Sequence, residues 1–299
     1  INIKTWHALG YVFYFLVLGL LIWASLFGIT AQGSQRWISL YFLNLQPSEL
    51  MKIAIIVCFA RFFHREQITS VSSFKNIIVS LAILVMPIVL VVSQPDLGTS
   101  ILIAASGLIV LWLAGLNIRY FVYSGLILLV SFPFVISFLK PYQKLRILSF
   151  FNPDRDPLGA GYQIIQSKIA VGSGGLLGKG FLQGTQSYLE FLPEKHTDFI
   201  FTLFSEEQGF IGSVFLLIIY GILIYRIIKI GSISRSYFGR LFCYGFGSAI
   251  FIYIAVNMSM VLGLLPIVGS PLPIMSYGGS SMLATMIGLS IVMSTKIYH

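Results

Sequence analysis

The chain has 299 residues, 57% of them hydrophobic and only 10% charged, with a mean hydropathy of +0.90. A soluble domain carries about 25% charged residues, so a soluble enzyme is excluded; the apolar stretches run on without alternation, which excludes a transmembrane β-barrel. The net charge of +9 then points to cytoplasmic loops, anionic headgroups or anionic substrates rather than to nucleic acid. The expected class is an all-α polytopic membrane protein, one integral domain over residues 1–299.

Length of apolar run predicts eight spans, at about 9–29, 49–63, 76–93, 99–114, 120–139, 210–230, 238–265 and 281–294. A hairpin-like segment carrying Arg36 and Trp37 separates the first two. Basic residues set the orientation: Arg61, Arg65 and Lys75, then Arg119, then Arg226, Lys229, Arg235 and Arg240 fall on one side, assigned as cytoplasmic. Both termini of this chain, with Lys4 and Lys296, join that side. The long loop at 140–199, between spans five and six, then faces outward. Since the chain begins at Ile1, with no signal-peptide pattern, it is expected to be a fragment.

Within that loop, residues 158–175 set Tyr162, Ile165 and Ile169 on one helical stripe. The segment reads either as a helix lying flat in the membrane interface or as a loop helix packed on the bundle. The neighbouring GSGGLLGKG lacks the glycine and Ser/Thr positions of a phosphate loop, since Ser173 and Gly180 occupy them, and is expected to be a flexible turn. Four scattered histidines form no metal motif, and Cys58 and Cys243, both in apolar runs, read as small buried hydrophobes.

The charged patch QGTQSYLEFLPEKHTD (183–198) is the most unusual stretch, with Glu190, Glu194 and Asp198 in sixteen residues. Pro193 keeps Glu190 and Asp198 off a single helix, but a bent loop could bring them together. Carboxylates suit general-base work where burial or a partner tunes them; solvated loop charges are the alternative. Glu49 and Lys52 share one face at the outer end of the second span, where an ionisable residue is either functional or snorkelling to headgroups. Arg36, Lys144, Arg146, Lys168 and Lys195 face outward and together could hold a pyrophosphate; singly, each is an interface charge. Asp96, Asn257 and the PLPIMSYGGSS stretch with Ser276 mark polar breaks at outer span ends. Glu206 and Glu207 open the sixth span.

Six motifs in order, GSQRW (33–37), QPSELMK (46–52), QPDLGTS (94–100), NPDRDPLGAGYQIIQSKIAVGSGG (152–175), LEFLPEKHTDFIF (189–201) and LPIVGSPLPIMSYGGSS (265–281), resemble the SEDS family of cell-wall proteins. Within it the chain looks like the RodA branch, because Val268 stands where the division branch carries a functional lysine. The family fold has ten spans, so the resemblance implies that this chain lacks the first two.

The resemblance implies a peptidoglycan glycosyltransferase that joins lipid II into glycan strands for elongation and rod shape, releasing undecaprenyl pyrophosphate. It implies Asp198 as base or orienting group, Glu190 as a second carboxylate and Lys52 as the cation tuning Asp198. Arg36, Glu49, Asp96, Lys144, Arg146, Lys168, Lys195, His196 and Ser276 are assigned to substrate binding. It further implies a class B penicillin-binding protein as transpeptidase partner, other elongation-complex proteins, membrane lipids, and the bacterial cytoplasmic membrane. A divalent cation, Mg or Mn, is expected at most as an aid at the pyrophosphate; no ligand cluster in the sequence demands one. The competing readings are a lipid II flippase, with its essential charges near the bilayer midplane, and a non-catalytic scaffold that does not need Asp198.

Overall fold

The computed structural model describes residues 2–31, 34–40, 43–64, 71–138, 141–153, 156, 159–185 and 196–298. Among these, α1 (Ile3–Phe27) leads into a small antiparallel sheet of β1 (Ile29–Ala31), β2 (Ser34–Leu40) and β3 (Leu43–Leu45). The helices that follow are α2 (Pro47–Phe63), α3 (Phe74–Ser93), α4 (Leu97–Leu113), α5 (Ile118–Phe138), α6 (Pro141–Phe151) and α7 (Ala160–Ser173). The last three are α8 (Ile200–Ile233), α9 (Tyr237–Val261) and α10 (Gly279–Ile297). Each of the eight expected spans falls on a helix, and among the described residues five helices (α1, α3, α8, α9 and α10) are long and apolar enough to cross a membrane. The polytopic all-α class holds, with the hairpin-like segment realised as the three-stranded sheet.

The apolar side chains face outward as well as inward. On α3, Ile78, Leu81, Val85, Met86, Val89 and Val92 are exposed while Ser80, Leu84, Pro87 and Val91 are buried. That is the pattern of a helix whose solvent is hydrocarbon, where no hydrophobic penalty opposes an exposed leucine. The core also takes large apolar side chains, among them Phe59, Phe242 and Phe246, so an apolar residue marks either face and burial has to be read from the packing.

The chain divides into two compact units. The first comprises residues 1–116, 222–253 and 277–299. At its centre α2 packs against α1, α4 and α10 and is buried on nearly every side, from Pro47 through Ala60. Pro at the first helical position and Glu49 in the first turn suit the start of this helix, since the proline needs no N–H partner and the acid complements the helix dipole. Gly107 lets α4 come close to its neighbours: a Cβ there would lie 2.4 Å from Leu84 Cδ1 and 3.1 Å from Ile55 Cδ1. Cys58 and Cys243 are buried free thiols in this unit.

The second unit comprises residues 117–221 and 254–276. Two helices, α6 and α7, lie in the stretch expected as loop. The helix expected over 158–175 is present as α7, but its buried face is Gly161, Ile164, Ser167 and Ala170, not the Tyr162–Ile165–Ile169 stripe; Ile169 is exposed. Ser167 Oγ donates to the carbonyl of Val261 (2.9 Å), so the helix is packed against protein. In a membrane protein the small residues make the contact, and a stripe chosen for large apolar residues picks the wrong face.

The range α8 is two helices that meet at Gly209 (φ 66°, ψ −163°), a conformation open essentially to glycine alone, and the part after this break coincides with the sixth span expected at about 210–230. The glycine-rich turn after α7 fits this break. Phe210 N and Ile211 N donate to the carbonyls of Gly175 and Leu176 (2.9 and 3.1 Å), and Lys179 N and Gly180 N donate back to those of Glu206 and Glu207 (both 3.0 Å). The turn supplies the partners that a broken helix loses, a requirement wherever irregular backbone lies at membrane depth.

Candidate active site

In the first unit, two ionic clusters sit around the start of α2. Lys52 Nζ lies 2.8 Å from Glu49 Oε2, one helical turn away, with whole-residue exposures of 5% and 4%. The ammonium also lies 4.7 Å from the centroid of the Tyr253 ring, a cation–π contact in a water-poor setting. Ser106 Oγ donates to Leu102 O (2.7 Å), so the 2.6 Å contact between hydroxyls is Tyr253 donating to Ser106. Lys52 is therefore a buried, paired cation and does not snorkel.

Asp96 caps α4 by accepting from Thr99 N (3.1 Å) and holds Arg36 Nη1 (3.1 Å) and Gln46 Nε2 (3.2 Å) on its other oxygen. Gln46 N donates to Ser280 Oγ (2.8 Å), whose hydroxyl donates to Asn44 O (3.1 Å). Capping residues and one arginine thus tie the sheet to the starts of α2, α4 and α10. Arg36 Nε is buried without a hydrogen-bond partner among the described residues, leaving a donor available.

In the second unit, Asp198 is half-buried two residues ahead of α8. Its backbone is held from both sides. Asn257, fully buried on α9, donates through Nδ2 to Asp198 O (2.8 Å) and Ser270 O (2.7 Å). Ser276 Oγ donates to Thr197 O (2.7 Å) and accepts from Leu272 N (2.7 Å). The carboxylate lies over Gly269 (φ 70°), where a Cβ would stand 3.4 Å from Asp198 Oδ2. The segment 262–270 that carries Gly269 also receives two of the expected cations. Arg146 Nη1 reaches Ile267 O at 3.5 Å, and the Lys168 stem lies against Gly263, where a Cβ would fall 2.1 Å from Cε. Asp198, Arg146 and Lys168 therefore each meet the backbone of residues 263–269. Such a set can take a proton from a hydroxyl and can neutralise a departing anion.

Also in this unit, Glu206 is fully buried and pairs with Lys179 Nζ at 2.8 Å. Thr185 Oγ1 accepts from Lys179 (2.8 Å) and donates to Glu206 Oε1 (3.3 Å), while Glu207 Oε1 accepts from Leu182 N (3.0 Å).

The site residues expected from sequence thus fall into separate groups. Lys52 pairs with Glu49 and Arg36 with Asp96 in one unit; Asp198, Arg146 and Lys168 each meet the segment 263–269 in the other, where Ser276 grips backbone. His196 is exposed and Lys144 half-buried, and Glu190, Glu194 and Lys195 lie outside the described residues. Sequence reasoning missed the roles of Asn257, noted only as a polar break, and of Lys179, weighed only as a phosphate-loop lysine. The available signal was a polar residue in an otherwise apolar setting. Among the described residues, no group of three or more His, Cys, Asp or Glu side chains is gathered as a metal centre.

The pattern of the FtsW/RodA/SpoVE family, described as cell cycle protein, matches residues 1–299. The peptidoglycan glycosyltransferase MrdB of Escherichia coli K12 is 48% identical over 287 residues, covering 96% of this chain and 77% of MrdB. A chain of a peptidoglycan synthase complex, solved for its coordination of polymerization and crosslinking, aligns with a TM-score of 0.82 at 32% identity, covering 100% of this chain and 84% of that one. An aspartate-to-alanine mutant of the rod shape determining protein RodA of Thermus thermophilus aligns with a TM-score of 0.71 at 25% identity, covering 100% of this chain and 82% of its own.

Proposed function

The chain belongs to the SEDS family, the cell cycle proteins FtsW, RodA and SpoVE, and on that footing we propose that it is a multi-pass membrane peptidoglycan glycosyltransferase. The observation that carries this is the 48% identity to MrdB along 96% of the chain; the segment 263–269, which Asp198, Arg146 and Lys168 each meet, suggests a chemical division of labour. The substrate is lipid II. Asp198 takes the proton from the C4 hydroxyl of the acceptor, whose oxygen attacks the anomeric carbon of the growing glycan. The bond from that carbon to the pyrophosphate breaks, and undecaprenyl pyrophosphate leaves.

The leaving group is already good, so positioning and charge neutralisation provide much of the acceleration. Arg146 and Lys168, which meet the same 263–269 segment as Asp198, are suited to the departing pyrophosphate, Arg by paired donors and Lys as a point charge. Lys52 with Glu49 is the second functional pair, and the roles given to Glu190, Lys195 and His196 rest on the family resemblance. The site faces outward from the cytoplasmic membrane, as the distribution of basic residues favours. A class B penicillin-binding protein is the transpeptidase partner; likeness to a chain of a synthase complex supports this.

A lipid transporter is the second reading, because the broken α8 with its buried Lys179–Glu206 pair is a feature of transporter binding sites. It is the weaker one: Lys179 Nζ and Glu206 Oε1 pair with each other at 2.8 Å, so each charge is satisfied by the other rather than held for a transported group. The test is purified chain with labelled lipid II and no other glycosyltransferase. Wild type should make glycan polymer, and Asp198→Ala should lose about 10²-fold or more of the rate, the usual contribution of a positioned base. Polymerisation by Asp198→Ala at the wild-type rate would remove Asp198 from the chemistry, and absence of polymer from wild type would favour the transporter.

A further inference from the structure

Asn257 lies on α9 without solvent exposure, in a helix that is otherwise largely apolar. Both protons of its Nδ2 are committed, to Asp198 O at 2.8 Å and to Ser270 O at 2.7 Å. Carbonyl oxygens only accept, so these two bonds fix which way the amide points. Its Oδ1 is buried with no hydrogen-bond partner among the described residues, and Ser270 Oγ is in the same condition. Leaving a buried acceptor unpaired is costly, and an apolar residue would avoid that cost at a position serving packing alone. What the amide provides in return is a link between two backbone segments: the one carrying Asp198 and the one carrying Gly269, over which the Asp198 carboxylate lies.

The geometry points to Asn257 as a positioning residue for the glycosyl transfer. By holding the carbonyls of Asp198 and Ser270 together, it fixes the distance from the Asp198 carboxylate to the turn at Gly269. This rests on the reading of Asp198 as the base. Ser276 makes a parallel bond to Thr197 O (2.7 Å), so the peptides at 197 and 198 are each held from residues 257–276, and neither carbonyl is free to rotate the carboxylate away. Base catalysis is sensitive to such placement: a shift of about 1 Å costs on the order of 10²-fold in rate. The resemblance motifs do not include Asn257, and it touches no reacting atom.

The test compares lipid II polymerisation by wild type, Asn257→Ala, Asn257→Ser, Asn257→Asp and Asp198→Ala, with kcat, KM and apparent melting temperature for each. Asn257→Ala should lower kcat at least about tenfold while KM for lipid II stays within about twofold, the split expected when only the transition state loses an interaction. Asn257→Ser retains one donor and should fall between Ala and wild type. Asn257→Asp replaces the donor with an oxygen against two carbonyls and should be no better than Ala.

A wild-type kcat in Asn257→Ala beside an inactive Asp198→Ala overturns the clamp and leaves the base assignment standing. Full activity in Asp198→Ala overturns the base assignment itself. Should Asn257→Ala fail to fold, Asn257→Ser decides: a folded Ser variant with wild-type kcat makes Asn257 a folding residue and refutes the positioning role.

Discussion

Lys179→Met breaks the ion pair between the glycine-rich turn and Glu206 of α8 from the side of the more accessible partner. Glu206 is fully buried, while the Lys179 side chain is 26% exposed. The methionine fills the space of the lysine stem but takes the ammonium from the carboxylate, while Thr185 Oγ1, at 3.3 Å, still donates to it. Removing one partner of a buried pair costs about 3–5 kcal/mol; because solvent reaches Lys179 and screens part of the pair, the lower end, about 3 kcal/mol, applies. Glu206→Gln is the converse. The lysine left behind can turn to solvent, and an amide still accepts from Thr185, so the loss should be about 1 kcal/mol, that of one hydrogen bond. The double variant Lys179→Met/Glu206→Gln has no stranded charge and should be more stable than Lys179→Met alone, a coupling that a double-mutant cycle reads directly. The assay is thermal denaturation of detergent-purified protein at one fixed scan rate, since membrane proteins of this size unfold irreversibly. Lys179→Met no less stable than Glu206→Gln, or a double variant as unstable as the sum of the two, would refute the buried-pair argument.

Two further substitutions test other parts of the molecule. Lys52→Ala should reduce lipid II polymerisation about tenfold or more while the protein still inserts and purifies, as expected for a functional ionisable group within a span; normal turnover would make the Lys52–Glu49 pair purely structural. Gly209→Ala should destabilise the protein by about 3 kcal/mol in the same thermal assay, because its φ of 66° is strained for alanine and a Cβ would lie 2.3 Å from Gly178 N. A melting temperature equal to wild type would show that α8 can straighten.

The spans were readable because a helix in hydrocarbon needs an unbroken apolar run, and the runs at residues 9–29 or 238–265 have no other use. The turn of the chain into the sheet was readable from the polar break after α1. The second unit was harder to read, for a physical reason. In water the large apolar residues mark the buried face; in lipid they mark either face, and Gly161, Ser167 and Ala170 carry the contact that Ile169 was expected to make. The apolar run after Gly209 was readable as a span, whereas the short helix before the break was not, because Glu206 and Glu207 depress hydropathy there. Asp198 stood out by charge and by motif, but Asn257, which holds its peptide, lies 59 residues away in sequence and gives no periodic sign of that partnership.

The interlocked backbone of the glycine-rich turn and the break in α8 also bears on how the protein is made. The carbonyls of Glu206 and Glu207 and the amides of Phe210 and Ile211 find their partners in residues 175–180, so the first half of α8 would enter lipid with open hydrogen-bonding groups if it inserted alone. The turn precedes the break in the chain and is therefore synthesised first. As each stretch emerges from the ribosome, the mate for the interrupted helix is already waiting, and no later segment has to fold back to seal it. A circular permutation that opened the chain between 185 and 196 would reverse that order, asking the insertion machinery to release a polar-backed helix before its counterpart exists.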